Sequence, residues 1–430
     1  MTAEIAILNR SAVALAADSA GTIGQGGSAK IYNGFNKIFE LSEHEPIGIM
    51  IYGNLDYMGL PLEALIKRYR KRLGRKSFPH VKDYLKDFVK FLSLEVPANS
   101  NEQLKNEFNI LYQYFGYIFR RVEEKIFSDI KSRGKYLESK INESIKTIVD
   151  AELIARKSEP TIKGFFSKLP KGASTAWQPL VESALGAHFS SYKLNKANRT
   201  ALVTCGLLSL QKGPLSGTRT GIVVTGFGKD EYCPSLEAIE IDGMVFGRLK
   251  SVTLKQIDID RGGPVAEMIG FAQDDMVSTF LNGVDPRYEQ YVDESLGQLF
   301  AEIVEKATGA SGGTAPTAPA LTLVHGFFDH VRTQLATKLL EYRNKTFMTP
   351  IVEMIRFMPT QELATLAASM IEITSLKRRV TRDRETVGGE IDVAVISKAE
   401  GFVWIKRKHY FPPDLNPRFF KRLQREADGA

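Results

Sequence analysis

The apolar period of this chain switches four times between its ends, and few folds satisfy such an order. Residues 2–53 carry apolar or alternating runs of strand length, EIAIL, AVALAAD, KIFEL and IGIMIYG, joined by turn-forming stretches. At residue 54 the spacing becomes helical, with Leu60, Leu62, Leu65, Ile66 and Tyr69 along 56–75. Helical patterns continue through 80–94 and 102–156. In the latter, Phe108, Leu111, Phe115, Ile118, Val122, Ile126 and Ile130 mark one apolar face that needs a partner. Residues 157–199 read as partly irregular, and strand character returns at 200–210, 220–227, 235–243 and 251–259. Helices are expected over 264–283, 287–307, 321–346, 348–357 and 360–379, the last with Thr360 as its N-cap. Two strands, 390–398 and 401–408, close the pattern. Strands, helices, strands, helices, strands in that order suit two sheets packed between helical layers, an α+β chain folded as a four-layer αββα sandwich.

Length and composition narrow the function classes. A chain of 430 residues exceeds one ordinary domain and implies one elaborated domain or two. No apolar run is long enough to cross a bilayer, and the start MTAEIAILNR has no long apolar core for a signal peptide. A cytoplasmic protein without membrane contact is expected. Cys205 and Cys233 are too far apart for a zinc knuckle and suit a reducing compartment. His325 and His330 are five apart, off one helical face, so no metal or cofactor is expected. The net charge of +7 is concentrated at 67–76, 377–379 and 406–410. Such runs read as solvated faces, and without a recognisable module nucleic acid is not expected as a partner. The Gly-rich stretch 21–30 lacks the Gly-Lys-Ser/Thr order of a phosphate loop.

The chemistry-bearing pattern begins at the second residue. Loss of Met1 before a small residue would expose Thr2, whose hydroxyl and α-amino group can act together as nucleophile and base. An α-amino group titrates near neutrality, at about 7.7–8.0. Asp18 follows Thr2 by sixteen residues in AADS, Lys37 opens the strand NKIFEL, and Gly53 ends the strand GIMIYG before a helix. Each has a bland reading: an ordinary second residue, a turn aspartate, a solvated lysine and a helix-entry glycine. Together they resemble the proteasome β-subunits and the related bacterial heat-shock protease subunit, a family of N-terminal-nucleophile (Ntn) hydrolases. The likeness continues in TGIVVTGFGKDEYCPSLEAIEIDG and in LATLAASMIEITSLKRRVTRDRETVGGEIDVAVISKAEGFVWIK.

The resemblance implies an Ntn αββα sandwich with a largely helical insertion. It divides the chain into core residues 1–74, a helical insertion 75–199, core strands and a helix 200–283, a second insertion 284–346 with a linker near 309–320, core residues 347–411 and a tail 412–430. It further implies that Thr2 attacks an amide carbonyl, that Lys37 lowers the pKa of amine and hydroxyl, and that Asp18 orients Lys37. Gly53 would donate its N–H to the oxyanion, and Asp383 and Thr386 would hold the N-terminus. The expected function is a self-assembling threonine peptidase acting on peptides, as a homo-oligomer or with a related subunit, and with a regulatory or unfoldase partner. The chain departs from the family in three places. Tyr52-Gly53-Asn54 stands where two adjacent glycines are usual, 269–275 contains no serine, and Val387 lengthens the Gly-Gly turn. These departures keep open the alternative of a catalytically silent proteasome-like scaffold.

Overall fold

The computed structural model describes residues 2–23, 30–95, 100–133, 138–259, 263–309, 318–381, 387–409, 411–418 and 420–421. The chain divides into two compact units: Met1–Ile38 with Tyr232–Pro234 and Asp258–Ala430, and Phe39–Glu231 with Ser235–Ile257. The first strands are β1 (Ala3–Asn9), β2 (Ala12–Ala17), β3 (Ala20–Ile23), β4 (Lys30–Asn33), β5 (Ile38–Glu40), β6 (Ile47–Gly53), β7 (Asp56–Tyr57) and β8 (Leu60–Pro61). Helices α1 (Leu62–Leu73), α2 (Val81–Glu95), α3 (Asn101–Arg133), α4 (Glu138–Ser158), α5 (Ala173–Ala176), α6 (Gln178–Phe189) and α7 (Lys196–Gln211) follow. Strands β9 (Thr220–Gly226), β10 (Ser235–Val245), β11 (Arg248–Asp258) and β12 (Ala266–Ala272) precede helices α8 (Asp275–Asn282), α9 (Pro286–Gly309) and α10 (Ala318–Arg343). A π-turn at Asn344–Met348 leads to α11 (Thr349–Phe357), α12 (Thr360–Val380), β13 (Asp392–Ser397) and β14 (Gly401–Lys406).

The first unit is built on a five-stranded sheet in the order β12-β1-β2-β13-β14. Asn9 closes the β1–β2 hairpin by accepting from the N–H groups of Ser11 and Ala12. Ile5 then faces Ala16 and Ile7 faces Ala14. Ile5, Ile7, Ala12, Ala14 and Ala16 share a core with Leu363, Ala364, Ala367, Met370 and Ile371 of α12. The alanines of β2, with Ala364 and Ala367 on that helix face, leave room for the helix to approach the sheet closely. Pro359 holds the N-cap position of α12 and Thr360 is its first helical residue, contrary to the sequence reading of Thr360 as the cap. Residues 264–283 also differ from expectation. They are strand β12 paired to β1, with helix only from Asp275. The pairing with β1 comes from far along the chain, so local spacing could not decide it.

The second unit holds the sheet β11-β10-β9-β6-β5. Ile49, Ile51, Ile222, Val224, Ile239 and Ile241 pack against Leu65, Ile66 and Tyr69 of α1 and Phe88 and Phe91 of α2. The basic run on α1 is solvated and paired: Lys67 with Glu63, Arg68 with Glu95, Arg70 with Glu40 and Glu43. Helices α3, α4, α6 and α7 form a further core. The apolar face of α3 is covered there by Ile145, Val149, Val181, Leu185, Phe189 and Leu202, so it needs no partner from outside the chain. Residues 200–210 are helical, not a strand. The side chain of Asn195 caps α7 by accepting from the Asn198 N–H at 2.8 Å. Gly206 admits Phe115 and Val181 so closely that a Cβ there would meet them at 2.8 and 2.9 Å. Together the two sheets and their helices make a mixed α/β protein. Among the described residues no helix is long and apolar enough to cross a membrane.

Candidate active site

In the first unit the β1–β2 hairpin brings the beginning of β1 beside the end of β2. Glu4 faces Ala17 across the ladder, so Ala3 and Asp18 meet: the Asp18 N–H donates to the Ala3 carbonyl at 3.2 Å. The Asp18 carboxylate collects four donors. Its Oδ1 accepts from the Ala3 N–H at 3.1 Å and from Lys37 Nζ at 2.6 Å. Its Oδ2 accepts from the Ala20 N–H at 3.1 Å and the Gly388 N–H at 3.0 Å. A carboxylate has about four acceptor sites, so this one is satisfied and fixed in rotation.

Lys37 precedes β5 and is 1% exposed. Besides Asp18, its ammonium donates to the Ala20 carbonyl at 2.8 Å. Burial pushes the lysine below its ordinary value; the charges of Asp18 and Glu4 oppose that shift, and Lys408 adds to it. Thr2 lies immediately before β1, 5% exposed, and its carbonyl accepts from the Gln273 N–H at 3.0 Å. A further tie comes from the turn after residue 386. The Ser19 N–H donates to the Gly388 carbonyl at 3.1 Å, and the Ser19 hydroxyl donates to the Glu390 carbonyl.

Glu4 is a site residue that the sequence reading missed. It is 1% exposed, and among the described residues neither carboxylate oxygen has a hydrogen-bond partner. Burial holds its carboxyl well above the usual carboxylate range; Lys37 opposes the shift and Asp18 reinforces it. By strand alternation Thr2 and Glu4 fall on the same side of β1, the side opposite Ala3 and Ile5. An acidic residue in a strand ordinarily signals a solvent-facing position, so only burial could reveal this one.

The other sequence candidates are placed as follows. Gly53 ends β6 in the second unit, opposite Thr220, with φ 79°; a Cβ there would lie 2.5 Å from the Arg219 carbonyl oxygen. Asp383 and Thr386 lie outside the described residues, as does most of the 309–320 linker. Residues 269–272 of the serine-free segment belong to β12, the strand beside β1. Among the described residues no group of His, Cys, Asp and Glu could hold a metal ion.

No protein-family model matches the chain, and no curated protein matches it. Among solved structures it is similar to a Gly-1 mutant of Anbu from Hyphomicrobium sp. strain MC1. The identity is 9% and the TM-score 0.30, over 100% of this chain and 98% of that one. A likeness so shallow carries no argument about chemistry, which rests on the residues themselves.

Proposed function

We propose that this chain is an N-terminal threonine hydrolase that cleaves amide bonds, a proteasome-like, self-assembling peptidase. One observation carries the reading: a single buried carboxylate, Asp18, binds both the Lys37 ammonium and the backbone N–H of the residue next to Thr2. That arrangement ties a cation and the nucleophile's backbone to one fixed anchor. On a chain whose Thr2 carries a free α-amino group, the Thr2 hydroxyl attacks the amide carbonyl carbon while the amine takes its proton. The tetrahedral adduct then collapses. The leaving amine departs with that proton, and an ester stays on Thr2 Oγ1. Water cleaves the ester and restores the hydroxyl. The Lys37 cation favours the neutral amine and the developing alkoxide throughout. Asp18 acts as a positioning residue. An unfoldase or regulatory subunit that delivers peptide belongs to this reading, as do Asp383 and Thr386 as holders of the N-terminus.

The scaffold alternative is favoured by one feature, the lack of serine at 269–275. Two measurements separate them. Intact mass should show a chain that begins at Thr2. A peptide epoxyketone or β-lactone should then add to the N-terminal peptide of the wild type and not of Thr2→Ala. A Thr2→Ser variant should keep part of the labelling. No adduct on a chain proven to start at Thr2, with either probe, overturns the enzyme reading.

A further inference from the structure

The second insertion presents apolar surface that its own unit does not cover. Helix α10 carries Val324, Phe327, Val331, Leu335, Leu339 and Tyr342, between 40% and 69% exposed. Their spacing is 3, 4, 4, 4 and 3 residues, a continuous stripe down one helix side. The contacts of α10 with α9 use other positions. Phe328 stacks on Phe300 at 3.8 Å, His325 meets the edge of Phe300, Arg332 pairs with Asp293, and Arg343 pairs with Glu289 at 2.7 Å. At about 100° per residue the stripe lies beside that contact face. On α9, Tyr288, Leu299 and Ile303 are exposed as well. Soluble monomers rarely leave so large a contiguous apolar patch open.

The spacing also reads the same in both directions. We infer that the α9–α10 hairpin is a docking surface for a second copy of this chain, with the two α10 stripes packed antiparallel about a twofold axis near residue 333. A twofold interface must be self-complementary, each position meeting its mirror. In this register Val324 faces Tyr342, Phe327 faces Leu339 and Val331 faces Leu335, so every stripe residue meets another. The charges agree. Glu341 comes opposite His325, and Asp329, Arg332 and Lys338 come opposite Thr337, Gln334 and Phe328, so no like charges are opposed. The helix is not strongly basic, unlike helices that lie on anionic membranes.

Sedimentation equilibrium on the full chain tests this, with paired charge variants at exposed positions that leave folding intact by far-UV circular dichroism. Wild type should associate at micromolar concentration. The V331E/L335E variant sets carboxylates against each other and should weaken association by roughly 100-fold. The V331K/L335E variant removes the same apolar area, yet in the antiparallel register each lysine meets a glutamate, so it should recover most of that loss. A parallel pair would set lysine on lysine. Recovery therefore supports the register, and equal dissociation of both variants overturns it. A monomeric wild type, or a wild type that binds phosphatidylserine vesicles through these residues instead of itself, overturns the proposal. Thr2→Ala should associate like wild type, which separates this surface from the chemistry.

Discussion

Each unit of this protein buries an aspartate–lysine pair. Lys37 and Asp18 meet at 2.6 Å with side chains 1% and 0% exposed, and Lys250 and Asp242 meet at 3.1 Å, both fully buried. Each lysine adds a backbone carbonyl, Ala20 for Lys37 and Ser209 for Lys250. Burial depresses both lysines. The difference is in what surrounds them. Asp242 also accepts from the N–H and hydroxyl of Ser216 and so clasps the segment before β9. Asp18 instead binds the N–H next to Thr2, and a buried carboxyl without a hydrogen-bond partner among the described residues, Glu4, interacts electrostatically with both members of its pair. A buried ion pair alone is therefore a structural device, and often not a stabilising one. What distinguishes a chemical site is a group whose burial no partner offsets.

The largest expected effect breaks the symmetry between the pairs. Lys37→Met and Lys250→Met each leave an aspartate buried without its cation and should each lower stability by about 3–5 kcal/mol in urea unfolding. Only Lys37→Met should also slow acylation of Thr2 by an epoxyketone, by roughly three orders of magnitude. Lys250→Met, assayed at a temperature where it is folded, should label at the wild-type rate. If both variants label normally, the Lys37 pair is a clasp like the other. If Lys37→Met does not fold, Lys37→Arg serves instead: its planar guanidinium keeps the charge but not the point-like geometry, so a smaller slowing is expected.

The sequence disclosed the local part of this arrangement and not the tertiary part. A tight hairpin fixes the offset between its ends, so the sixteen residues from Thr2 to Asp18 already imply that the start of β1 meets the end of β2. Lys37 is legible only as the start of the short apolar run that forms β5. Residues 200–210 mislead because Val203, Thr204 and Cys205 favour strands, whereas Asn195 as a cap and burial at Leu202, Cys205 and Ser209 decide for helix. The cap is the available signal. Glu4 has none, because its meaning lies entirely in what covers it. The apolar face of α3 announces a need for a partner, and the chain meets that need itself, whereas α10 leaves an apolar stripe exposed.

A smaller effect contrasts two glycine turns, one in each unit. Gly53 has φ 79° and no room for a Cβ beside the Arg219 carbonyl, so Gly53→Ala should cost about 2–3 kcal/mol. Gly388 has nothing among the described residues within 4 Å of the place a Cβ would take, and its N–H bond to Asp18 survives the change. Gly388→Ala should therefore fall within about 0.5 kcal/mol of wild type in urea unfolding. A large loss at Gly388 would mean that the turn holding Asp18 is far less tolerant than its open surroundings suggest.

The smallest effect, and the one that most sharpens the comparison, concerns Glu4. Its charged neighbours are Lys37 and Asp18, with the Lys408–Asp392 pair acting through Lys37. Because burial raises the Glu4 carboxyl above its ordinary 4.5, the folded chain keeps a proton that the unfolded chain releases. The contribution of this group to stability is thus full below pH 4.5 and is lost as pH rises through the folded value. Glu4→Met removes the buried carboxyl at similar length and should stabilise the fold at neutral pH by about 1–3 kcal/mol. The gain over wild type should be small near pH 4.5 and widen with rising pH, measured as the difference in Tm. Parallel Tm curves would mean that Glu4 does not hold its proton. A second readout separates chemistry from stability. At pH values where Glu4 has ionised, its charge supports the ammonium of Lys37, so its removal lets Lys37 lose its proton more easily there. The alkaline limb of Thr2 acylation should then move to lower pH in Glu4→Met. No equivalent shift is expected on disturbing the Asp242 clasp through Ser216→Ala, which removes the hydroxyl bonded to Asp242 and Thr218.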